Sequence, residues 1–462
     1  MGFDWSSQYP EGVLSFLDTD LYKLTMQNAV FKHYADVHVT YAFTNRTPEK
    51  KLSRKAFSWL CDQIYKLGHI SLKDDELQWL RSKCPYLSQD YLQFLSTFRL
   101  SPREQLKPTF TPVGEDTGRD DVIGDIHIEI SGLWKDTILY EIPLLALTSE
   151  AYFKFMDTDW NYDGQEDQAF DKGIQILQAG CLLSEFGTRR RRDYHTQSLV
   201  IKGLVKAQKK AAADGLSGKL VGTSNVHLAM RFDLKPIGTV AHEWFMGVAA
   251  LTNDYEKASE VALEKWVGCF NKELAIALTD TFGTPAFLRA FSKSVKDSLK
   301  EPLGISEGTT ASYAQVFTGV RQDSGDPAEF VKMMREFYDS EKIKEKKTIV
   351  FSDSLNIEKC IEYKRIADEQ GLNCSFGVGT YLTNDFTQLK TGKKSVPLNI
   401  VIKLSTASGN PAIKISDNVG KNTGDPEKVA EVKRLLGYQE KDWIGGDETK
   451  RWGTSDGVTK NQ

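Results

Sequence analysis

From about residue 180 onward, the sequence repeats one short pattern, and this pattern restricts the possible folds more than any other feature. Each unit is a short apolar run, a small polar cluster and then a stretch with helical periodicity. Such alternation is typical of strand–helix units in a parallel sheet. The apolar runs are 219–221, 274–278, 315–320, 348–351 and 374–376. The sequence therefore predicts an α/β fold.

Parallel strand–helix units can close into a barrel or remain an open sheet with helices on both faces. An open sheet concentrates its ligands at one point where the strand order reverses. Here polar clusters follow at least five successive predicted strands, at 222–225, 279–284, 321–326, 352–354 and 377–380. We therefore expect an irregular (β/α) TIM-like barrel, which we place at residues 151–399.

The first 150 residues read as mixed α/β. Apolar residues recur at helical spacing within 14–34, behind capping candidates at 18–20, and residues 38–43 alternate like a strand. The segment 103–121 is rich in proline, glycine and charge, which predicts a loop before a strand over 126–130. We expect residues 1–150 to form a separate α/β domain.

The composition restricts the classes of partner. The chain has 59 Lys and Arg against 63 Asp and Glu, a formal charge of −4, which does not suit a chain-wide nucleic-acid surface. The longest apolar stretches, such as 244–251, are too short to cross a bilayer. Six cysteines without a CxxC pair are typical of a reducing compartment. We expect a cytoplasmic location, with the nucleus as an addition, and neither nucleic acid nor membrane as a partner.

Several catalytic motifs are absent. The sequence contains no GxxxxGK[ST], no strand-placed GxGxxG, no GxSxG and no HExxH, because Met246 stands where a second histidine would follow His242. These absences count against P-loop NTPases, Rossmann dehydrogenases, α/β-hydrolases and zinc proteases. The other histidines show no metal-ligand spacing with the cysteines. We therefore predict no metal held by protein side chains.

Three polar clusters are suited to an anionic substrate. Four consecutive arginines at 189–192 concentrate positive charge, and guanidinium groups match the geometry of phosphate. Arg321 and Asp323 share one strand face and would suit a phosphate and the adjacent ribose hydroxyls. Residues 377–380 could present backbone N–H groups to a phosphate. The alternative interpretations are a solvated basic turn and a structural salt bridge.

His242 is the candidate nucleophile. It follows a predicted strand end, where an imidazole could act as a base or a nucleophile. Asp280, one strand–helix unit later, could orient that imidazole if the fold brings the two together. A packed histidine with satisfied hydrogen bonds is the alternative interpretation.

Six segments, taken in order, resemble the nicotinate phosphoribosyltransferases of the type II phosphoribosyltransferase group, and the similarity spans nearly the whole chain. They are LDTDLYK at 17–23, EFGTRR at 185–190, GTSN at 222–225, GTVAHE at 238–243, DTFGT at 280–284 and RQDSGD at 321–326. AHEW at 241–244, GDP at 424–426 and LLGY at 435–438 resemble the fungal and enterobacterial branch in particular.

This resemblance implies an activity and its requirements. The reaction transfers the phosphoribosyl group of phosphoribosyl pyrophosphate (PRPP) to nicotinate, giving nicotinate mononucleotide and pyrophosphate for NAD biosynthesis. It is coupled to ATP hydrolysis through a phosphohistidine at His242, and it uses Mg²⁺. The implied fold is an irregular barrel plus an α/β domain built from both chain ends, here 1–150 completed by 400–462. Members frequently form homodimers in which the partner supplies the N-terminal tyrosine.

The resemblance also implies how the base is bound. Tyr22 and Phe186 match the aromatic pair that encloses the pyridine ring, a suitable use of flat apolar faces. Arg189 and Thr239 match contacts to the substrate anion. Ser224 stands where nicotinamide-using relatives resemble an aspartate, and its hydroxyl could donate to a carboxylate. These features predict nicotinate as the base.

The catalytic and phosphate-binding residues follow in the same way. His242 matches the phosphorylated histidine, and Asp280 matches its carboxylate partner. The implied residues for PRPP and product phosphate are Arg189, Arg321, Asp323, Ser352, Asp353, Gly377, Gly379 and Thr380. GVGT at 377–380 differs from the double-glycine form of the nicotinamide enzymes. Nicotinamide or quinolinate as the base, and a non-catalytic PRPP or nucleotide sensor, remain alternatives.

Overall fold

The computed structural model describes residues 9–418 and 422–439. The strands are β1 (His38–Asn45), β2 (Leu52–Ser53), β3 (Leu106–Pro112), β4 (Ile123–Leu133), β5 (Leu182–Glu185), β6 (Lys219–Thr223), β7 (Ile276–Leu278), β8 (Gly319–Gln322), β9 (Thr348–Phe351), β10 (Asn373–Val378), β11 (Phe386–Thr387), β12 (Lys394–Ser395), β13 (Ile400–Ala407) and β14 (Asn410–Pro411).

The α-helices lie mainly between these strands. They are α1 (Leu21–His33), α2 (Arg54–Lys66), α3 (Asp74–Lys83), α4 (Gln89–Thr97), α5 (Pro102–Gln105), α6 (Trp134–Thr137), α7 (Glu141–Phe155), α8 (Gln165–Gln178), α9 (Tyr194–Ala213), α10 (Val226–Phe232), α11 (His242–Thr252), α12 (Ala258–Phe270), α13 (Thr284–Phe291), α14 (Asp297–Lys300), α15 (Tyr313–Val316), α16 (Pro327–Ser340), α17 (Ile357–Glu369), α18 (Thr380–Thr383) and α19 (Pro426–Leu436).

One sheet is antiparallel and joins the two ends of the chain. Its strand order is β14-β13-β1-β4-β2, and β3 also pairs with β4. The central pairing runs from Val39 opposite Ala407 to Asn45 opposite Ile400. Residues before 150 and after 400 therefore share one sheet, while the proposed division into two domains remains a prediction.

The second sheet contains six parallel strands in the order β6-β5-β10-β9-β8-β7. Five of these are the strands predicted from the apolar runs, and the α/β expectation is confirmed. In the described part of the chain, β6 and β7 are not hydrogen-bonded to each other, so a closed TIM-like barrel is not confirmed. An extended segment lies beside β6 instead, where Ile237 N donates to Thr223 O at 2.8 Å.

The structure can be compared with the sequence predictions at several helix and strand boundaries. At the start of α16, the Asp326 side chain accepts from the backbone N–H groups of residues 328 and 329 and caps the helix. The segment 103–121 was expected to be a loop, but Leu106–Pro112 is a strand. Its two prolines are tolerated because β3 pairs on one side only, with β4. Helix α1 begins at Leu21, directly after the capping candidates at 18–20. Strand β8 begins at Gly319 rather than at residue 315, because Tyr313–Val316 forms a short helix.

Helices α8 and α9 pack very closely against each other. A Cβ atom added at Gly203 would collide with the carbonyl oxygen of Glu166 and would lie 2.9 Å from Phe170 N. The close approach therefore requires glycine at this position.

Among the described residues, no helix has both the length and the hydropathy needed to cross a bilayer.

This packing predicts the effect of Gly203→Ala. The added methyl group has to push backbone apart, so the free energy of unfolding should fall by about 1–3 kcal/mol, as for other overpacked interiors. Gly268→Ala is the matched control, because its Cβ would lie no closer than 3.5 Å to Leu299 in another helix. Urea unfolding of both variants measures the difference. Equal stability of Gly203→Ala and the wild type would contradict this packing.

Candidate functional site

Polar side chains gather where three neighbouring parallel strands end. Asp280 follows β7, Asp323 follows β8, and Ser352 follows β9. Because the carboxyl ends of parallel strands meet at one edge of the sheet, side chains far apart in sequence lie together there. The sequence predicted each of these residues for the site, and the structure brings them together.

Arg321 lies at the centre of a hydrogen-bond network. Its Nη2 donates to Asp323 Oδ1 at 2.7 Å, Nε donates to Ser352 Oγ at 2.8 Å, and Nη1 donates to Thr239 Oγ1 at 3.1 Å. Ser352 Oγ lies 2.8 Å from Asp323 Oδ1 and donates to it. The guanidinium plane is therefore held by three separate segments before any substrate arrives.

His242 begins helix α11 and is held from both ring nitrogens. Nδ1 lies 3.0 Å from Thr281 Oγ1, and Nε2 lies 3.0 Å from Asp323 Oδ2. Asp280 Oδ1 is more distant from Nε2, at 3.8 Å. Asp323 is thus the carboxylate within hydrogen-bond distance of the imidazole, whereas the role predicted for Asp280 remains a prediction.

The surroundings favour a neutral imidazole. Burial, followed by the charge of Lys414, lowers the pKa of His242 to about 4, although Asp280 and Asp323 act in the opposite direction. The pKa of Asp323 is well below its usual value, because Arg321 and the imidazole outweigh the effect of burial. At neutral pH the site therefore contains an uncharged imidazole beside ionised carboxylates.

Lys414 was not among the residues predicted from the sequence, yet its Nζ lies 2.8 Å from His242 Nε2. Backbone hydrogen bonds of 2.9 Å join Lys414 to Thr423 in both directions, and Ile415 N donates to Thr281 O at 2.8 Å. The side chain of Lys414 is only 9% exposed. The one available signal was a lysine within the apolar run Ala412 to Ile415.

The cluster around His242 also offers three candidate metal ligands. Donor atoms of His242, Asp280 and Asp323 lie within 4.8 Å of one another. Lys414 Nζ lies among them, 2.8 Å from Nε2 and 3.7 Å from Asp280 Oδ2. Since the ammonium already neutralises this group, the side chains fit a lysine better than a divalent ion.

Phe186 is placed by the neighbouring strand β10. Its backbone N–H donates to Val378 O at 2.8 Å. A Cβ atom at Gly377 would overlap the Phe186 ring, and one at Gly379 would lie 3.1 Å from Phe186 O. The two glycines predicted for a phosphate loop thus allow the aromatic ring to lie against β10.

Tyr22 lies in the first turn of α1 and belongs to the same site of the same chain. A Cβ atom at Gly238 would lie 2.9 Å from Tyr22 N. Burial and the Glu141 carboxylate raise the pKa of Tyr22 well above its usual value, while Arg189 and Arg321 act in the opposite direction. The phenol therefore lies in the field of both predicted anion-binding arginines.

Ser224 lies beside Tyr22 but its hydroxyl is already used. Ser224 Oγ donates to Asp20 Oδ1 at 2.8 Å. Burial raises the pKa of Asp20, and hydrogen bonds from Ser224 and Thr188 partly offset this increase. A proton donated to Asp20 is not available to a substrate carboxylate. The predicted donor role of Ser224 is thus not supported by this arrangement, and the hydroxyl instead stabilises the buried Asp20.

Two arginines of the 189–192 run are buried and structural, which corrects the view of this run as one substrate-binding cluster. Arg191 makes a bidentate pair with Asp18, at 2.7 and 2.8 Å. Arg192 lies against the rings of Phe153 and Phe386, at 3.7 and 4.0 Å from their centroids. Both side chains are at most 1% exposed, so neither can contact a substrate.

Arg189 differs from them because its side chain is 38% exposed. Its Nη1 lies 3.6 Å from Oε1 of the buried Glu141, which also pairs with Lys23 at 2.6 Å. Lys403, which the sequence analysis did not single out, shares this region: burial lowers its pKa to about 7, with Lys414 and Arg189 adding to the effect. Arg189 therefore supplies positive charge near Tyr22.

The remaining predicted residues border the same strand ends. Ser354 Oγ donates to Asp353 Oδ1 at 3.1 Å in the turn after β9. Thr380 begins the short helix α18 directly after Gly379, and it is buried at 9% exposure. Their predicted phosphate contacts remain predictions.

The paired burial of Arg191 and Asp18 predicts a large cost for removing one partner. Arg191→Met leaves an uncompensated carboxylate and should lower the free energy of unfolding by about 3–5 kcal/mol. The double variant Asp18→Leu/Arg191→Met should recover most of that loss. Chemical denaturation measures both. A single variant as stable as the wild type would contradict the structural role.

Comparisons with known proteins give the family of this chain. Residues 17–149 match the nicotinate phosphoribosyltransferase (NAPRTase) N-terminal domain, and residues 181–440 match the nicotinate phosphoribosyltransferase (NAPRTase) family. The nicotinate phosphoribosyltransferase of Saccharomyces cerevisiae is 45% identical over 447 residues, covering 95% of this chain and 99% of that protein. The enzyme of that name from Escherichia coli O157:H7 is 36% identical, covering 90% and 94%.

Solved structures give the same result. A putative nicotinate phosphoribosyltransferase from Saccharomyces cerevisiae superposes with a TM-score of 0.85 at 43% identity, covering 94% of this chain and all of that chain. A nicotinate phosphoribosyltransferase from Vibrio cholerae gives 0.79 at 32% identity, covering 94% and 96%. The chain thus belongs to the nicotinate phosphoribosyltransferase family.

Proposed function

We propose that this protein transfers the phosphoribosyl group of PRPP to nicotinate, forming nicotinate mononucleotide and pyrophosphate in NAD biosynthesis. The observation that carries this proposal is the Arg321 network at the strand ends, which shares one site with Tyr22 and Arg189. A fixed guanidinium suits phosphate, and an adjacent aromatic pocket with a second arginine suits an anionic aromatic base.

The nicotinate ring would lie between Tyr22 and Phe186, with its carboxylate toward Arg189. This orientation leaves the pyridine nitrogen facing the network of Arg321 and Asp323. There the nitrogen lone pair attacks C1 of the ribose, the bond from C1 to the pyrophosphate oxygen breaks, and pyrophosphate leaves. The phosphate of the phosphoribosyl group would contact Arg321, Ser352 and the turn before Thr380. Asp323 would accept a hydrogen bond from a ribose hydroxyl.

We also propose that ATP phosphorylates His242. A neutral imidazole has a lone pair available for attack on the γ-phosphorus, and the nearby carboxylates stabilise the charge that develops on the ring. The N–P bond forms as the bond to the β–γ bridging oxygen breaks, and ADP leaves. Mg²⁺ would arrive bound to the substrate phosphates, since Lys414 already occupies the carboxylate cluster at His242.

The architecture supports three further proposals. The segment at 235–239 lies beside β6, and Thr239 contacts Arg321 at the other side of the site, which supports an irregular barrel with a non-strand wall. The shared antiparallel sheet supports a domain built from residues 1–150 and 400–462, of which residues 1–8, 419–421 and 440–462 lie outside the described part of the chain. Tyr22 lies in the electrostatic field of Arg189 and Arg321 of its own chain, which supports a base pocket built from one chain.

The base pocket predicts a preference for nicotinate over nicotinamide of at least about tenfold in kcat/KM, because a hydrogen bond to a charged group contributes roughly 1.5–3 kcal/mol. Arg189→Met should remove most of this preference by lowering the value for nicotinate. Lys332→Met, a change on an exposed side chain of α16, is the control. Steady-state rates with nicotinate, nicotinamide and quinolinate decide the base.

Ser224→Asp places a second carboxylate beside Asp20. Its repulsion of the substrate carboxylate should lower kcat/KM for nicotinate below the wild-type value. Comparable values for nicotinate and nicotinamide in the wild type would contradict the proposed base. PRPP binding without product from any of the three bases would favour the sensor alternative.

Labelling with ATP carrying ³²P in the γ-phosphate tests the second step. The wild type should gain acid-labile label, whereas His242→Ala should gain less than about a tenth as much, because no other neutral imidazole lies in this network. His195→Ala, which removes a histidine that stacks on Tyr9 away from the strand ends, is the control. Equal acid-labile labelling of wild type and His242→Ala would contradict the assignment.

A further inference from the structure

Two groups compete for one nitrogen of His242. Lys414 Nζ lies 2.8 Å from Nε2, and Asp323 Oδ2 lies 3.0 Å from the same atom. A lysine ammonium can only donate a hydrogen bond, and an ionised carboxylate can only accept one. Nε2 therefore accepts from Lys414 when it carries a lone pair, and it donates to Asp323 when it carries a proton. Only one of these states can exist at a time.

The other ring nitrogen does not decide between the two states. Nδ1 lies 3.0 Å from Thr281 Oγ1, and a hydroxyl can either donate or accept. Thr281 is thus compatible with a proton on Nδ1 and with its absence. The choice is made at Nε2, by Lys414 and Asp323.

Asp323 is the weaker competitor because its charge is shared with other donors. Arg321 Nη2 and Ser352 Oγ both donate to Oδ1, at 2.7 and 2.8 Å. Lys414, in contrast, is buried, and its backbone is fixed to Thr423 by two hydrogen bonds of 2.9 Å. The stem of Lys414 therefore directs the ammonium at the imidazole.

We propose that Lys414 is a positioning residue for His242, whose ammonium donates to Nε2, leaves the ring proton on Nδ1 and keeps the imidazole neutral for attack on ATP. This inference rests on the proposed phosphorylation of His242. Lys414 keeps all its protons during the transfer. Its hydrogen bond passes from the ring to an oxygen of the phosphoryl group, whose negative charge it offsets.

Both signs of charge face His242. The carboxylates of Asp280 and Asp323 favour protonation of the ring, and Asp417 lies behind Asp280, linked through Ser324. Lys414 opposes them directly, with burial. Without the Lys414 charge, the carboxylates of Asp280 and Asp323 are the charged groups that act directly on the ring. The imidazole should therefore take up a proton at higher pH.

Nitrogen-15 NMR of the full chain tests the ground state directly, because ring nitrogen shifts report both the tautomer and the protonation of a histidine. The signal of His242 is identified by its loss in His242→Gln. In the wild type, the ring should remain neutral down to about pH 5, with the proton on Nδ1. In Lys414→Met, the ring should protonate at least about one pH unit higher, or its proton should move to Nε2.

Lys414→Arg retains the charge and should keep a neutral ring. Lys332→Met serves as the control and should leave the His242 signals unchanged. Should Lys414→Met not fold, Lys414→Gln replaces it, since the amide retains polarity without charge. A wild type with the proton on Nε2, or a neutral variant with unchanged tautomer and protonation, would overturn the proposal. This readout does not depend on phosphorylation.

A pulse-labelling experiment with γ-³²P ATP connects the tautomer to function. Between pH 7 and pH 5, the wild-type labelling rate should change less than about 1.2-fold, whereas that of Lys414→Met should fall at least about twofold, because a ring that protonates one pH unit higher is about half charged at pH 5. A lower rate with both the wild-type pH profile and the wild-type tautomer would overturn the proposal. Absence of label in the wild type would contradict the proposed function alone, because the NMR result stands separately.

Discussion

The ammonium of Lys414 lies among His242, Asp280 and Asp323, and this charge balance is the constraint on which the site depends. Two buried carboxylates beside one imidazole would repel each other and hold the ring protonated. The lysine ammonium offsets that repulsion. The segment after β14, which carries Lys414, is joined to the ends of β7 and β8. Ile415 N donates to Thr281 O, and Asp417 N donates to Ser324 Oγ. These backbone hydrogen bonds therefore hold in place the segment from which Lys414 reaches His242.

Positive charge is divided between structure and chemistry. Arg191 and Arg192 lie close to Arg189 in sequence, yet both are buried: Arg191 pairs with Asp18, and Arg192 lies against aromatic rings. Arg189 remains partly exposed. Arg321 is held by three partners at a distance from this run. In the proposed function, an anionic base and a phosphate would therefore contact separate arginines.

Local patterns carried much of the sequence prediction. The spacing of Arg321 and Asp323 placed both on one strand face, and the ion pair between them is the contact that the alternative interpretation described. The five apolar runs were also found as strands, because each depends on neighbouring residues. Lys414 was missed because its role depends on a bridge to Thr423 and on a histidine 172 residues away. The burial of Arg191 depends similarly on Asp18, 173 residues away, and strand β3 was hidden by prolines that only an edge tolerates.

The central claim is that the Arg321 network is preorganised for the phosphates of PRPP. Calorimetric titration of PRPP with Mg²⁺ into wild type and Arg321→Lys tests this most directly, because lysine retains the charge but not the planar fork. The account predicts binding at least about tenfold weaker in Arg321→Lys, since a charged hydrogen bond contributes roughly 1.5–3 kcal/mol. Equal affinity of the two proteins would contradict it.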